Sequence, residues 1–250
     1  MDLHSPYFRS IRLNRDKVPG FRSFPFNLAA VKSLDELELR PEVTFIVGEN
    51  GMGKSTLLEA IALSLGFNAE GGSLNFNFST YDSHSALDEY LTVVRGMERP
   101  KDGFFLRAES FFYNVATNIE ELDSEPGGSR LIDSYGGKSL HEQSHGESFF
   151  ATFLNRFRGK GIYILDEPEA ALSPLRQLSM VSRIHELVSD HLQFIIATHS
   201  PIIMAYPSAK IVELTGDGMQ EVNLEETQHY QVMKQFFDDP DRMMHHLLKP

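Results

Sequence analysis

The residues of this sequence whose types and spacing could do chemistry begin with GENGMGKST at positions 48–56. The stretch fits the pattern G-x-x-x-x-G-K-[ST], in which glycines leave room for backbone N–H groups to surround phosphate oxygens. Lys54 would place a positive charge against those oxygens, and the Ser55 hydroxyl could ligate Mg²⁺. The stretch therefore predicts a site for the phosphates of a nucleotide, with these contacting residues: Gly48, Asn50, Gly51, Gly53, Lys54, Ser55 and Thr56.

A pair of carboxylates follows a second apolar run. Asp166 and Glu167 come directly after Ile162–Leu165, which is the strand-plus-acid pattern of a Walker B element. We expect Asp166 to hold Mg²⁺ on the side opposite Ser55. Glu167, one residue further on, could accept a proton from an attacking water. The alternative is a solvent-facing pair of strand-end acids, and the phosphate loop upstream favours the first interpretation.

A histidine follows a third apolar run. His199 comes directly after LQFIIAT at 192–198. Its imidazole could donate a hydrogen bond to a γ-phosphate. The alternative is a histidine at a strand end whose ring nitrogens form hydrogen bonds with backbone groups.

The elements that must position these side chains are strands alternating with helices. The phosphate loop lies between a predicted strand at 43–47 and a predicted helix at 56–65. Buried strands are predicted at 161–165 and 192–198, with helices at 146–157 and 174–189. Further strands are predicted at 7–13, 34–39 and 74–78, and we expect the strand at 34–39 to lie in the same sheet as 43–47. The remaining predictions are short or full helices at 85–91 and 110–122, a hairpin over 210–222 and a helical tail from 225 interrupted at 238–240. Such alternation predicts an α/β fold with a mostly parallel sheet covered on both faces.

The composition limits the classes of protein to which this sequence could belong. The chain has 250 residues, enough for one large domain or two small lobes with a sizeable core. It has no cysteine, which excludes disulfides, cysteine-ligated zinc and a thiol nucleophile. A net charge of −12 argues against a broad nucleic-acid footprint. No apolar run is long enough to span a membrane and no signal peptide is apparent, so we expect the cytoplasm, where ATP is abundant.

These motifs together resemble the ATP-binding-cassette ATPase superfamily, and the resemblance covers most of the chain. In that family the Walker B strand ends in Asp-Glu-Pro, as at 166–168, and a switch histidine follows later in the chain, as at His199. The family's D-loop is similar to Ala170–Ser173. Its Q-loop position matches Glu109, which would be a further Mg²⁺ contact.

The family's signature motif resembles the stretch at 143–147. It implies that Ser144, Gly146 and Glu147 contact the nucleotide of a second subunit. Three positions depart from the usual family pattern: Glu109 for glutamine, His145 for glycine and Ser173 for aspartate. The SHGE form looks more like soluble repair, chromosome-maintenance and overcoming-lysogenization-defect ATPases than like transporter subunits. The short stretch between Glu109 and the signature leaves no room for long coiled-coil arms.

The same region contains a second motif, H-E-x-x-H, at 141–145. That pattern binds zinc when both histidines lie on one face of a regular helix and a third ligand lies beyond it. Here a glycine-containing loop at 135–138 precedes the motif, and Gly146 follows at once. We therefore prefer the phosphate-facing interpretation of Ser144 and Gly146.

The resemblance implies one ATPase domain over residues 1–250, with a core lobe at 1–66 and 151–250 and a lid at about 67–150. It implies the cofactors ATP and Mg²⁺ and an ATP-dependent head-to-tail homodimer. Glu167 and His199 would be the catalytic residues, and Ser55, Asp166 and Glu109 would hold the metal. We expect a switch that acts on an unknown protein or nucleic-acid partner without entering the membrane. The alternatives are the ATP-hydrolysing subunit of a membrane transporter and, less favoured, a small-molecule kinase.

Overall fold

The structure is a computed structural model and describes residues 5–69, 71–74, 85–107 and 145–249. The described residues form a seven-stranded sheet, called the central sheet below, and a three-stranded sheet, called the small sheet. The α/β fold with a mostly parallel sheet is as predicted.

The central sheet contains five parallel strands with one antiparallel strand at each edge. The strand order is β10-β9-β3-β8-β7-β6-β4. The strands are β3 (Val43–Gly48), β4 (Gly72–Ser73), β6 (Asp102–Arg107), β7 (Gly161–Asp166), β8 (Gln193–Ala197), β9 (Lys210–Thr215) and β10 (Gly218–Val222). Every residue of β3, β7 and β8 is buried, as expected for parallel strands covered on both faces.

The small sheet is antiparallel, in the order β2-β1-β5. It consists of β1 (Phe8–Leu13), β2 (Glu36–Glu38) and β5 (Leu91–Arg95). Two expectations were wrong here. The run at 34–39 does not share a sheet with β3, and the predicted helix at 85–91 is a single 3-10 turn, Asp88–Tyr90, that leads into β5.

Seven α-helices lie in the described part of the chain. They are α1 (Ala29–Ser33), α2 (Lys54–Leu65), α3 (His145–Asn155), α4 (Pro174–Ser189), α5 (Pro201–Met204), α6 (Gln228–Asp238) and α7 (Pro240–Leu247). The predicted N-cap of α4 is present, because Ser173 accepts a hydrogen bond from the backbone N–H of Arg176. No described helix is long and apolar enough to cross a membrane.

The core lies on both faces of the central sheet. Alternate residues of β3 face opposite sides, so Ile46 packs in one apolar cluster and Phe45 in the other. The first cluster contains α2 and the small sheet, and the second contains α3 and α4. The sheet is therefore sandwiched, and the ends of its strands are left at the surface to carry polar side chains.

A buried amide joins the two sheets. The Gln193 side chain at the start of β8 accepts from Phe8 N at 3.1 Å and donates to Phe8 O at 2.8 Å and to Arg40 O at 2.8 Å. Because Gln193 is 1% and Phe8 4% exposed, the two bonds to Phe8 satisfy backbone groups that water cannot reach.

Several predicted features lie outside the described residues: the strand over 75–78, the helix over 110–122, Glu109 and Ser144. The division into core and lid remains a prediction. Within the segment expected to form the lid, β6 is an interior strand of the central sheet, between β7 and β4.

Candidate functional site

The site lies where three neighbouring strands of the central sheet end. β3, β8 and β7 are adjacent and parallel, so their carboxyl ends meet at one edge. β3 ends at Gly48 and leads into the phosphate loop, β7 ends at Asp166, and His199 follows β8. Three stretches that are far apart in the sequence are thereby brought together.

The phosphate loop contains glycines with positive φ, one of which also lies too close to a neighbouring backbone for any side chain. Gly48 has φ +141°, and a β-carbon there would meet the backbone of Leu214 on β9. Gly53, with φ +93°, caps the N-terminus of α2 and packs against the Leu28 side chain. A side chain at either position would be strained or would collide, so the glycines of the motif are required by the fold around the loop.

Lys54 begins α2 and its side chain is buried beneath the loop, 4% exposed. Its ammonium group donates a hydrogen bond to Glu49 O at 3.2 Å and lies 3.9 Å from Glu167 Oε1. Burial lowers the pKa of Lys54, and the nearby carboxylates of Glu167 and Asp166 oppose that shift. The loop therefore holds a cation at the start of a helix, where α2 also presents its first N–H groups.

Ser55 and Asp166 form the pair of oxygens expected for a metal. Ser55 Oγ donates to Asp166 Oδ1 at 3.1 Å. A hydroxyl and a carboxylate are the hard oxygen ligands that Mg²⁺ takes from proteins, with phosphates completing its shell. In the described ranges there is no cluster of three or more His, Asp and Glu side chains that could hold a metal by itself. The donor set therefore fits a nucleotide-bound Mg²⁺ rather than an all-protein metal site.

Arg107 contacts the second oxygen of Asp166. Its Nε lies 3.6 Å from Asp166 Oδ2, and its Nη1 donates to Glu59 Oε2 on α2 at 2.5 Å. Arg107 ends β6, directly beside Asp166 in the strand register. This arginine was missed in the sequence because no motif includes it, and only the pairing of β6 with β7 brings it here.

Glu167 has an unusual backbone conformation for its residue type. Its φ of 50° and ψ of 53° are left-handed, which is uncommon outside glycine and is found where a structure constrains a functional residue. Glu167 N donates to Ala197 O at 2.9 Å. The backbone therefore departs from the extended conformation of β7 at this residue, and Glu167 Oε1 lies 3.1 Å from His199 Nε2.

His199 is held by three groups. Its backbone N–H donates to Glu169, its Nε2 contacts Glu167, and its Nδ1 lies 2.9 Å from His229 Nε2. Neither Glu169 nor His229 was among the residues predicted from the sequence. Glu169 follows the Asp-Glu-Pro motif directly and could have been noticed there, but nothing in the local sequence marks His229.

The signature residues are described only in part. α3 begins at His145, and Gly146 packs against the backbone of Ala171 in the predicted D-loop. Arg176 Nη1 donates to Gly146 O at 3.0 Å, so the start of α3 is tied to α4. Glu147 is exposed in the first turn of α3. Apart from the helix start at His145, the alternative zinc motif at 141–145 lies outside the described residues.

The fold and site define a P-loop ATPase domain: a mostly parallel sheet, a phosphate loop leading into a helix, and strand-end acids beside it. Three comparisons agree with this class. A family model described as an AAA domain matches residues 17–110, less than half of the chain. The energy-coupling factor transporter ATP-binding protein EcfA of Methanosphaera stadtmanae is 27% identical over 194 residues, 71% of this chain and 67% of that protein.

Two further matches are more distant. ABC transporter G family member 22 of Arabidopsis thaliana is 26% identical over 178 residues. The match covers 64% of this chain and only 23% of the plant protein. The structure of CbiO1 from Clostridium perfringens, part of the ABC transporter complex CbiONQ, has a TM-score of 0.53 and 16% identity. It covers 98% of this chain and 99% of that one, and at this identity it supports the fold alone.

Fold, motifs and matches together show that this chain is similar to ATPases of the ATP-binding-cassette superfamily.

Proposed function

We propose that this chain binds ATP through its phosphate loop and hydrolyses it to ADP and phosphate by means of Glu167. The observation that carries the proposal is the convergence of two groups on one carboxylate oxygen. Lys54 Nζ lies 3.9 Å and His199 Nε2 lies 3.1 Å from Glu167 Oε1. Because Lys54 and His199 both contact this one anionic oxygen, both can also contact the anionic oxygens of a γ-phosphate.

Binding would use the loop and the two oxygen ligands. The loop's backbone N–H groups and Lys54 would hold the β- and γ-phosphates. A β-carbon built at Gly51 meets no atom within 4 Å, so this side of the loop is open to a ligand. Ser55 and Asp166 would hold Mg²⁺, which neutralises charge on the phosphate oxygens when bound.

The chemical step would be an in-line attack of water on the γ-phosphorus. The bond from the water oxygen to phosphorus forms, the bond to the β–γ bridging oxygen breaks, and the Glu167 carboxylate takes the proton of the water. His199 would orient the γ-phosphate through Nε2. The left-handed backbone at Glu167 supports this role because the chain departs there from the extended conformation of β7 and the carboxylate lies beside His199.

A second subunit would complete the site. The proposal follows the family arrangement, in which one subunit's phosphate loop faces the signature residues of the other: Ser144, Gly146 and Glu147. Gly146 supports it, because α3 begins beside the D-loop and is held there by Arg176. Hydrolysis removes a charged group that bridges two surfaces, so the stability of the dimer would depend on the nucleotide.

The biological role we propose is a nucleotide-driven switch on a protein or nucleic-acid partner in the cytoplasm, where ATP is abundant. The SHGE form of the signature supports this role. The second candidate is the ATP-hydrolysing subunit of a membrane transporter, which the printed names of the relatives favour. A pull-down with an ATP-trapped variant separates them: a multi-span membrane protein among the captured partners supports the transporter role.

The experiment for the ATPase is the substitution Glu167→Gln. The amide keeps the size of the side chain but cannot take a proton, so turnover should fall by about 10²–10⁴-fold. ATP binding should survive, because Lys54 and the two oxygen ligands are unchanged. The variant should accumulate as an ATP-bound dimer in size-exclusion chromatography with Mg²⁺-ATP, beside a phosphate-release assay.

Glu186→Gln is the matched control, since Glu186 lies on α4 in an exposed ion pair with Arg183. Its turnover should equal that of the wild type. A Glu167→Gln protein that hydrolyses ATP at the wild-type rate would remove Glu167 from the mechanism. A variant that binds ATP but is inactive and remains monomeric would agree with Glu167 as the general base and would contradict the proposed dimer.

A further inference from the structure

His229 is placed against the site by the first turn of α6. Thr227 caps this helix, and its hydroxyl accepts from Tyr230 N at 3.3 Å. Gln228 N donates to Oε1 of Glu213, a buried residue of β9, at 3.0 Å. The helix start is thus fixed to the central sheet one residue before His229.

The ring of His229 meets the ring of His199 edge to face. Their centroids lie 4.9 Å apart at an interplanar angle of 62°, and His229 Nε2 lies 2.9 Å from His199 Nδ1. The other nitrogen of His199 lies 3.1 Å from Glu167 Oε1. Glu167, His199 and His229 therefore form one continuous chain of hydrogen-bonding groups.

The direction of the hydrogen bonds in this chain follows from valence. An ionised Glu167 can only accept, so His199 Nε2 must carry a proton. A neutral His199 then has a bare Nδ1, and the partner of that atom must be a donor. His229 consequently donates from Nε2 and leaves its own Nδ1 bare.

The surroundings of His229 support this direction. Among the described residues its Nδ1 is buried and has no hydrogen-bond partner. A proton on Nδ1 would make it a buried N–H without an acceptor, which is rare in folded proteins. A deprotonated Nδ1 without a donor costs less free energy. Burial and the neighbouring His199 also lower the pKa of His229, which favours its neutral form.

We propose that His229 is a positioning residue, which donates to His199 Nδ1 and so holds the imidazole in the tautomer that presents Nε2–H to the reacting groups. The catalytic consequence rests on the proposed ATPase function, but the tautomer itself does not. Without the donor, only the bond to Glu167 would hold this tautomer, and a fraction of His199 would carry its proton on Nδ1. Nε2 would then be an acceptor facing phosphate oxygens, which cannot donate to it.

The test measures the tautomer and the kinetics together. The full-length protein, with ¹⁵N-labelled histidine, is examined by NMR, and His199 is assigned by comparison with His199→Gln. The wild type should show a protonated Nε2 and a bare Nδ1 on His199. His229→Phe keeps a ring in place and removes the donor, so His199 should become a mixture of tautomers.

His229→Gln is the conservative variant, because the amide nitrogen of glutamine can occupy the place of the imidazole Nε2. It should restore a single His199 tautomer. His185→Phe is the control for the loss of a histidine elsewhere, since His185 lies on α4 beside Tyr206. It should leave the His199 signals and the turnover unchanged.

In phosphate-release assays, kcat of His229→Phe should fall roughly tenfold, the lower end of what losing a histidine-orienting partner costs at metal sites. The Kd for ATP should stay within about twofold, because the phosphate loop is untouched. His229→Gln should recover most of kcat. The combination of a kcat loss, an unchanged Kd and an amide rescue would not arise from a merely structural role.

Three results would overturn the inference: a wild-type His199 protonated on Nδ1, a His199 tautomer unaffected by His229→Phe, or equal losses in the Gln and Phe variants. The first needs the wild-type protein and His199→Gln for the assignment, so it decides even when a variant at His229 fails to fold. A wild type that does not hydrolyse ATP would overturn the proposed function. The tautomer measurements would still decide the role of His229.

Discussion

Ser55 Oγ donates a hydrogen bond to Asp166 Oδ1 across 3.1 Å, although the two residues lie on different elements and 111 positions apart in the chain. Ser55 belongs to the first turn of α2, and Asp166 is the last residue of β7. The bond exists because α2 starts at the edge where β7 ends. The two halves of the predicted nucleotide site are therefore in direct contact.

Lys54→Ala should abolish detectable ATP binding, because it removes the buried cation of the phosphate loop. Hydrogen bonds from charged groups contribute about 1.5–3 kcal/mol each, so each bond lost weakens binding by a factor of about 10–100, and Lys54 would contact both the β- and the γ-phosphate. Fluorescent-nucleotide titration in the presence of Mg²⁺ measures the effect. Lys210→Ala is the control, since Lys210 on β9 is nearly buried and paired at 3.0 Å with Glu221 on the edge strand β10. Equal affinity in the two variants would refute the assignment of Lys54.

Arg107→Met should strengthen the apparent affinity for Mg²⁺. The guanidinium contacts Asp166, the carboxylate proposed to hold the metal, at 3.6 Å. Charges about 5 Å apart repel by about 1 kcal/mol per charge pair even in a water-like dielectric, and Mg²⁺ carries two. The Mg²⁺ concentration that half-saturates ATP binding should consequently fall roughly fivefold or more.

The same substitution should also lower the melting temperature, because Glu59 loses its partner. Arg183→Met, which removes an arginine from α4, provides the comparison and should leave the Mg²⁺ dependence unchanged. An Mg²⁺ dependence that is the same in Arg107→Met and Arg183→Met would show that Arg107 does not act on the metal site.

Ser144→Arg should leave ATP binding by the monomer largely intact and stop dimerisation and turnover. The reason is that this residue is expected to act on the nucleotide of the other subunit. Size-exclusion chromatography of the protein with Mg²⁺-ATP, together with nucleotide titration, separates the two effects. Ser189→Arg places the same side chain at the exposed end of α4 and should behave as the wild type. Normal hydrolysis by Ser144→Arg would mean that the signature is misaligned or that the dimer does not form.

Gln193→Leu should destabilise the protein by at least about 2 kcal/mol, because each buried polar group left without a partner costs about 1–3 kcal/mol. Leucine has a similar size but would leave Phe8 N, Phe8 O and Arg40 O without their side-chain partner. Urea unfolding followed by circular dichroism measures the change in the free energy of unfolding. Gln220→Leu on the exposed face of β10 should change it little, and a similar loss in both variants would show that the amide does not link the sheets.

The sequence by itself determined the parts of this protein that depend on neighbouring residues. The glycines and Lys54 lie within one loop, and the acids that follow β7 lie within one strand end, so their spacing alone predicts a phosphate loop and a Walker B pair. Apolar runs flanked by helical segments likewise predicted the parallel α/β fold. The N-cap at Ser173 and the hairpin of β9 and β10 followed from local turn and capping preferences.

Only the tertiary structure decided which distant residues meet. Arg107 reaches Asp166 because β6 pairs with β7, and His229 reaches His199 because α6 is anchored to β9. The run at 34–39 entered the small sheet because β1 provided an antiparallel partner. Such contacts join residues far apart in the chain, and they are fixed by packing and strand order rather than by local spacing. For that reason no motif in the sequence predicts these contacts.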